Sequence, residues 1–145
     1  MQTINQMKLE FLSVPENEGF ARVAVSAFAV QLNPTLDVLA DIKTAVSEAV
    51  TNAVVHAYPD REGSVTVTVT VYDTNVVKIR VRDKGVGIED VQKAREALFT
   101  TAGDDRSGLG FTVMESFSDK LQVRSKPGKG TAVTITKRIT GKRAG

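Results

Sequence analysis

The sequence predicts an α+β domain, a two-layer sandwich with a mostly antiparallel sheet and helices on one face. Three observations predict it. Val65, Val67, Val69 and Val71 alternate with Thr66, Thr68 and Thr70, and Val77, Ile79 and Val81 alternate with Lys78, Arg80 and Arg82. These are two half-buried strands, joined by a hairpin turn at Asp73-Thr74-Asn75. Two segments of helical spacing precede the pair, and a second hairpin closes the chain.

In chain order, Met7-Lys8-Leu9-Glu10-Phe11 alternates apolar and polar residues as a short strand does. Ser13 to Asn17 carries cap and proline signals for a helix starting near Pro15. Its apolar stripe is expected to be Phe20, Val23, Ala24, Ala27 and Phe28, which leaves Arg22 off the stripe and exposed. Asn33-Pro34-Thr35 breaks that helix and caps the next, over about 35–57, with Leu39, Ile42, Val46, Val50 and Ala53 inward. A turn at 58–63 leads into the valine strand. After the second strand a helix is expected from Glu89 to Phe99, then a polar loop over Thr100 to Arg106, then a helix from Leu109 to Phe117. Leu121 and Val123, then Val133 and Ile135, form the last hairpin across Pro127-Gly128-Lys129-Gly130.

A chain of 145 residues with 41% hydrophobic and 25% charged residues is expected to be one globular domain with a substantial core. The expected domain is 1–137, followed by a basic tail at 138–145, with Lys137, Arg138, Lys142 and Arg143 read as a solvated cluster. A net charge of +2 with mixed signs argues against direct nucleic-acid binding. With no cysteine, disulfides and thiolate chemistry are excluded. No apolar run approaches the ~18 residues of a membrane span, and no signal peptide is visible, so a cytoplasmic protein is expected.

Chemistry concentrates in three segments. Glu48 and Asn52 stand at i and i+4 and share a helix face offset from Val46 and Val50. An amide carbonyl there suits Mg2+, and a carboxylate one turn away suits proton acceptance from a hydroxyl. The same spacing also fits a solvated polar face. His56 continues that face, and as the only histidine it makes no metal site; helix-end packing or exposure accounts for it. Asp83 ends a strand just before Gly85 and Gly87, where glycines permit positive φ and close backbone approach. An Asp at such a turn can accept from an exocyclic amine, and it also fits a plain Asp-Gly turn. Ser107-Gly108-Leu109-Gly110-Phe111 precedes a helical stretch, where backbone amides can hold phosphate or simply form a flexible helix start. Walker and protein-kinase signatures are absent.

Taken together, these segments resemble the N, G1 and G2 boxes of the GHKL superfamily, which includes gyrase, Hsp90, histidine kinases and MutL. The resemblance extends over nearly the whole chain and implies the Bergerat fold with ATP or ADP and Mg2+ bound. It implies that Asn52 holds Mg2+ and that Asp83 binds adenine, with Gly85 and Gly87 lining the base. It further implies that Thr100, Thr101, Arg106, Ser107, Gly108, Leu109 and Gly110 frame the phosphate lid, and that Thr131 meets the base through water. Glu48, from its place one turn before Asn52, is expected to be the catalytic base. Gyrase, Hsp90 and MutL need longer chains, and a complete histidine kinase needs a phosphoacceptor histidine on a dimerisation helix. The small stand-alone branch remains: anti-sigma factors that are serine protein kinases. Phe20-Ala21-Arg22-Val23, Val46 to Tyr58, Leu98-Phe99-Thr100-Thr101 and Arg106 to Phe117 are most similar to its sporulation, sigma F-type members, with the stress-response B type the near relative. Such proteins are homodimers that bind a sigma factor and phosphorylate an anti-anti-sigma factor, and the resemblance places Arg22 and Arg106 at those partner surfaces. Ala102-Gly103 replaces the family's more usual Lys-Pro.

Overall fold

The computed structural model describes residues 1–95 and 106–139, with the backbone alone for 106–109. Five strands, β1 (Thr3–Leu12), β2 (Ser64–Tyr72), β3 (Val76–Asp83), β4 (Lys120–Lys126) and β5 (Gly130–Arg138), form one sheet in the order β1-β2-β3-β5-β4. All four pairings are antiparallel. The strand period of two sends Val65, Val67, Val69 and Val71 to one face, all 0% exposed, with Val77, Ile79 and Val81 beside them. Arg80, Arg82, Gln122 and Arg124 fall on the other face and are exposed.

The helices α1 (Glu16–Ala29), α2 (Leu36–Val55), α3 (Val91–Arg95) and α4 (Arg106–Ser116) complete the sandwich. The start of α2 is fixed locally: Asn33 takes a left-handed φ of 53°, and Thr35 Oγ1 accepts the Val38 N–H at 3.3 Å. Ile42, Val46, Val50 and Ala53 are buried as the spacing predicts. Val38 is buried where Leu39 was expected, and Leu39 is only half-buried.

The inward face of α1 differs from expectation. Ala21, Val25 and Ala29 are fully buried, whereas Phe20 and Val23 are 55% and 61% exposed. The helix packs chiefly on α2. Ala21 and Ala29 on that side are small; Phe20 and Val23 are turned outward, whereas Phe28 of the expected stripe is half-buried against the core. Arg22 is exposed as expected and lies 3.8 Å from Glu18, one turn away. Ser13 does not cap α1; its hydroxyl accepts the Gly63 N–H and ties the end of β1 to the loop before β2.

Nor is the basic C-terminal cluster all solvated tail. Lys137 lies on β5 and pairs with Asp41 of α2 at 3.3 Å, Arg138 closes the strand, and Ile139 is buried. Residues 140–145, including Lys142 and Arg143, are outside the described residues. No helix among the described residues is long and apolar enough to cross a membrane.

Candidate nucleotide site

The sheet builds the floor of the site. Asp83 has the same parity as Val77, Ile79 and Val81, so it lies on the helix-covered face, and it pairs across β3 and β5 with Thr131. Thr131 in turn pairs with Ser125 of β4. Three polar side chains thus form one row at the end of an apolar face whose next row is Val81, Val133 and Val123. Asp83 is only 7% exposed, and its Oδ1 accepts the Gly85 N–H at 2.9 Å and the Thr131 N–H at 3.2 Å. Burial pushes its carboxyl above the usual value, and the two amide bonds pull against that rise.

Above the row is a cleft of about 230 Å3, walled by Ala49, Asn52 and Ala53 of α2, Phe111 of α4, and Ile88 and Gly87 of the turn after β3. Asp83 and Thr131 are its polar floor, and apolar side chains dominate the rest, as suits a flat heterocycle. His56, at the C-cap of α2, is exposed and borders the cleft.

Two glycines hold the turn by close backbone contact, Gly87 also by its φ: a Cβ on Gly87 would sit 2.1 Å from the Lys126 carbonyl oxygen. Gly87 has φ +76°, which strains an L side chain. Gly85 needs no positive φ. A Cβ there would sit 2.0 Å from the Ala57 carbonyl oxygen, so its constraint is close contact with the chain after α2. That contact is fixed by the Val86 N–H donating to Ala57 O at 2.8 Å, while Gly128 N–H donates to Val86 O at 2.7 Å. Gly87 borders the cleft, and Gly85 abuts Ala57 instead.

Glu48 and Asn52 share one face of α2, as the i,i+4 spacing requires, and both meet α4 at Gly110. A Cβ at Gly110 would lie 3.2 Å from both terminal atoms of Asn52 and 3.4 Å from Glu48 Oε2. Asn52 Nδ2 is buried without a hydrogen-bond partner, a group left wanting an acceptor such as a phosphate oxygen. No cluster of three or more His, Asp or Glu side chains that could hold a metal occurs among the described residues. The donors that are present fit a Mg2+ held by one protein oxygen together with phosphate and water.

Ser107, Gly108 and Leu109 are already helical, since α4 starts at Arg106 and not near Leu109. Thr100 and Thr101 lie outside the described residues, as do 96–99 of the helix expected to reach Phe99. Arg22, on α1, does not line the cleft. Sequence reasoning missed Ser125, Ile88 and Ala57. Ser125 was recoverable from strand register alone, because pairing Lys126 with Gly130 sets it opposite Thr131.

This fold and cleft define a nucleotide-binding domain of the histidine kinase-like ATPase class, and residues 11–137 match the family described as histidine kinase-like ATPase domain. The chain is 54% identical over 140 residues to the anti-sigma F factor of Caldanaerobacter subterraneus subsp. tengcongensis, covering 96% of this chain and 97% of that one. It is 54% identical to the anti-sigma F factor of Pasteuria penetrans, covering 96% and 94%. The chain therefore belongs to the histidine kinase-like ATPase family, among the anti-sigma F factors. Two solved structures share the fold. The RsbU and RsbW domains of Rv1364c from Mycobacterium tuberculosis superpose with TM-score 0.70 at 18% identity, over 97% of this chain and 35% of that one. The histidine kinase domain of the Erythrobacter litoralis EL346 blue-light activated kinase gives 0.60 at 20% identity, over 85% and 61%.

Proposed function

We propose that this chain is a cytoplasmic anti-sigma factor that captures an F-type sigma factor and, with Mg-ATP, phosphorylates a serine of its anti-anti-sigma factor. The observation that carries the kinase reading is Glu48, a carboxylate one helical turn from Asn52, which itself lines a base-sized cleft. The names of the relatives support sigma capture, and their F-type names favour that branch over the B type. In this reading Asp83 and Thr131 recognise adenine, Asn52 holds Mg2+, and Gly108, Gly110, Arg106, Ser107 and Leu109, with Thr100 and Thr101, bind the nucleotide around its phosphates. Bound Mg-ATP supplies an electrophilic γ-phosphorus and a neutralised leaving group. Glu48 accepts the proton of the seryl hydroxyl as its oxygen bonds to phosphorus, the bond from that phosphorus to the β,γ-bridging oxygen breaks, and ADP departs. Arg22 and Arg106 serve the partner surfaces, and the active unit is a homodimer.

Labelled ATP, the protein and an anti-anti-sigma substrate test the reading directly. Glu48→Ala should lower phosphoryl transfer by roughly 10^2 to 10^4 with nucleotide affinity nearly unchanged. Asn52→Ala should weaken Mg-dependent binding as well. Wild-type transfer rates in Glu48→Ala would instead make the chain a nucleotide-gated binding module.

A further inference from the structure

The sheet face turned away from the helices has a relief that follows from strand register. On β5 the outward positions are Gly130, Ala132, Thr134 and Thr136, all small. They pair on one side with Arg82, Arg80 and Lys78 of β3. On the other side they pair with Lys126, Arg124, Gln122 and Lys120 of β4. Short side chains between two rows of long ones make a trench along β5. The hollow over Thr134 and the hollow over Gly130 share Arg80, Arg124 and Ala132, so the trench is continuous. Two strand spacings set its width at about 10 Å, and the run from Gly130 to Thr136 sets its length at about 20 Å.

Both walls are cationic. No carboxylate stands at an outward position on β3, β4 or β5, and none of the wall cations has an ion pair among the described residues. Glu10 lies on the far strand β1, where it accepts the Ser64 hydroxyl at 3.1 Å. Neighbours on one wall, such as Arg80 and Arg82, stand about 6.8 Å apart. Residues i and i+2 of any extended chain have that same separation, and its side chains alternate left and right. A run of adjacent Asp or Glu residues laid along β5 therefore sends carboxylates to both walls in step with the cations. The guanidinium forks of Arg80, Arg82 and Arg124 suit carboxylates, and the Thr134 and Thr136 hydroxyls offer partners for the backbone of such a chain. A single nucleic-acid strand fits less well, because the trench holds no aromatic side chain on which bases could stack. A duplex is wider than the trench.

We propose that this trench docks an acidic polypeptide segment, a run of consecutive Asp or Glu residues bound in extended conformation along β5. The site lies across the sheet from the nucleotide cleft and does not depend on that reading. It differs from diffuse attraction to a basic surface, which is indifferent to spacing and shape.

Fluorescence anisotropy of a labelled hexaglutamate peptide on the full chain separates the two, at about 0.1 M salt, where the Debye length matches the trench width. A second peptide carries the same glutamates with two glycines after each. The contiguous peptide should bind about tenfold more tightly than the spaced one. Arg82→Glu and Arg124→Glu, one on each wall, should each weaken it by about tenfold or more. Lys8→Glu makes the same charge change on β1, outside the trench, and should have a much smaller effect. Ala132→Lys adds a positive charge yet fills the trench, so it should weaken binding where diffuse attraction would strengthen it. Thr134→Lys, at the next floor position, makes the same test if Ala132→Lys does not fold. A wild type that leaves hexaglutamate free, equal affinity for the two peptides, or unchanged or tighter binding in the floor variants overturns the proposal. Displacement of the peptide by a duplex oligonucleotide or by anionic lipid vesicles, at lower total charge than unlabelled hexaglutamate requires, overturns the assignment to an acidic polypeptide.

Discussion

In the proposed reading, Asp83 pits function against stability within one side chain. Its carboxyl is buried and its pKa raised, chiefly by desolvation, so the folded chain binds that proton more tightly than the unfolded chain does. Stability therefore falls as pH rises from the ordinary 3.8 through the folded value, and the penalty stands in full above it. Asp83→Asn keeps an oxygen for the Gly85 and Thr131 amides and removes the charge. The expected outcome is a variant at least as heat-stable as wild type at neutral pH, with a flatter pH dependence of Tm and weaker ATP binding, because an amide donor replaces the acceptor Oδ2. Thermal scans across acid to neutral pH, paired with nucleotide titrations, check both halves. A less stable variant with wild-type affinity would remove Asp83 from the recognition edge. The Asp-Gly pattern in the sequence pointed to this residue. Its burial and its partnership with Thr131 did not follow from the pattern, because both come from β5 lying beside β3.

Among the elements, the strands were far more legible than the first helix. In β2 the alternation of valine and threonine leaves one solution for which face is buried, since a shift of one residue would turn every valine outward. Helix α1 carries two apolar stripes offset by one or two residues, Phe20-Val23-Ala27 and Ala21-Val25-Ala29, and periodicity cannot rank them. Packing against α2 selects the smaller set. The turn after β3 gives the sharper test of an element. Ala57 follows α2, and its carbonyl contacts both Gly85 and the Val86 amide, so the helix end and the turn are one unit. Gly85→Ala should push them apart, costing about 1–3 kcal/mol of stability and displacing Asp83 from the cleft. The comparison is Gly128→Ala, in a turn where an added Cβ meets nothing within 4 Å although φ is +77°. It should lose only about 1 kcal/mol, from the left-handed conformation, and retain ATP binding. Equal nucleotide affinity in both variants would show that the Ala57 contact does not position the site.

At the scale of the whole molecule, the sheet separates two environments, and composition concealed the second. A net charge of +2 suggests evenly mixed signs, yet the face opposite the helices gathers like charges. Register places Lys8, Thr68, Arg80, Thr134 and Gln122 in one row, and Glu10, Thr66, Arg82, Ala132 and Arg124 in the next. Arg80, Arg82 and Arg124 line one shallow depression over the small Ala132, and none of them has an ion pair among the described residues. Arg82 and Arg124 stand two strands apart, about 10 Å, within reach of each other's field at low salt. Their repulsion is a cost that the folded chain carries and the unfolded chain largely escapes. Moderate salt should therefore raise Tm slightly by screening it. Arg124→Glu should stabilise the domain by roughly 0.2–1 kcal/mol by giving Arg80 and Arg82 an opposite charge, and should weaken the salt dependence. Arg124 lies on the face away from the cleft, so nucleotide affinity should not change. Denaturant melts of wild type and Arg124→Glu at low and moderate salt decide the matter. If the variant is no more stable at low salt, the arginines on this face are too well solvated to repel one another.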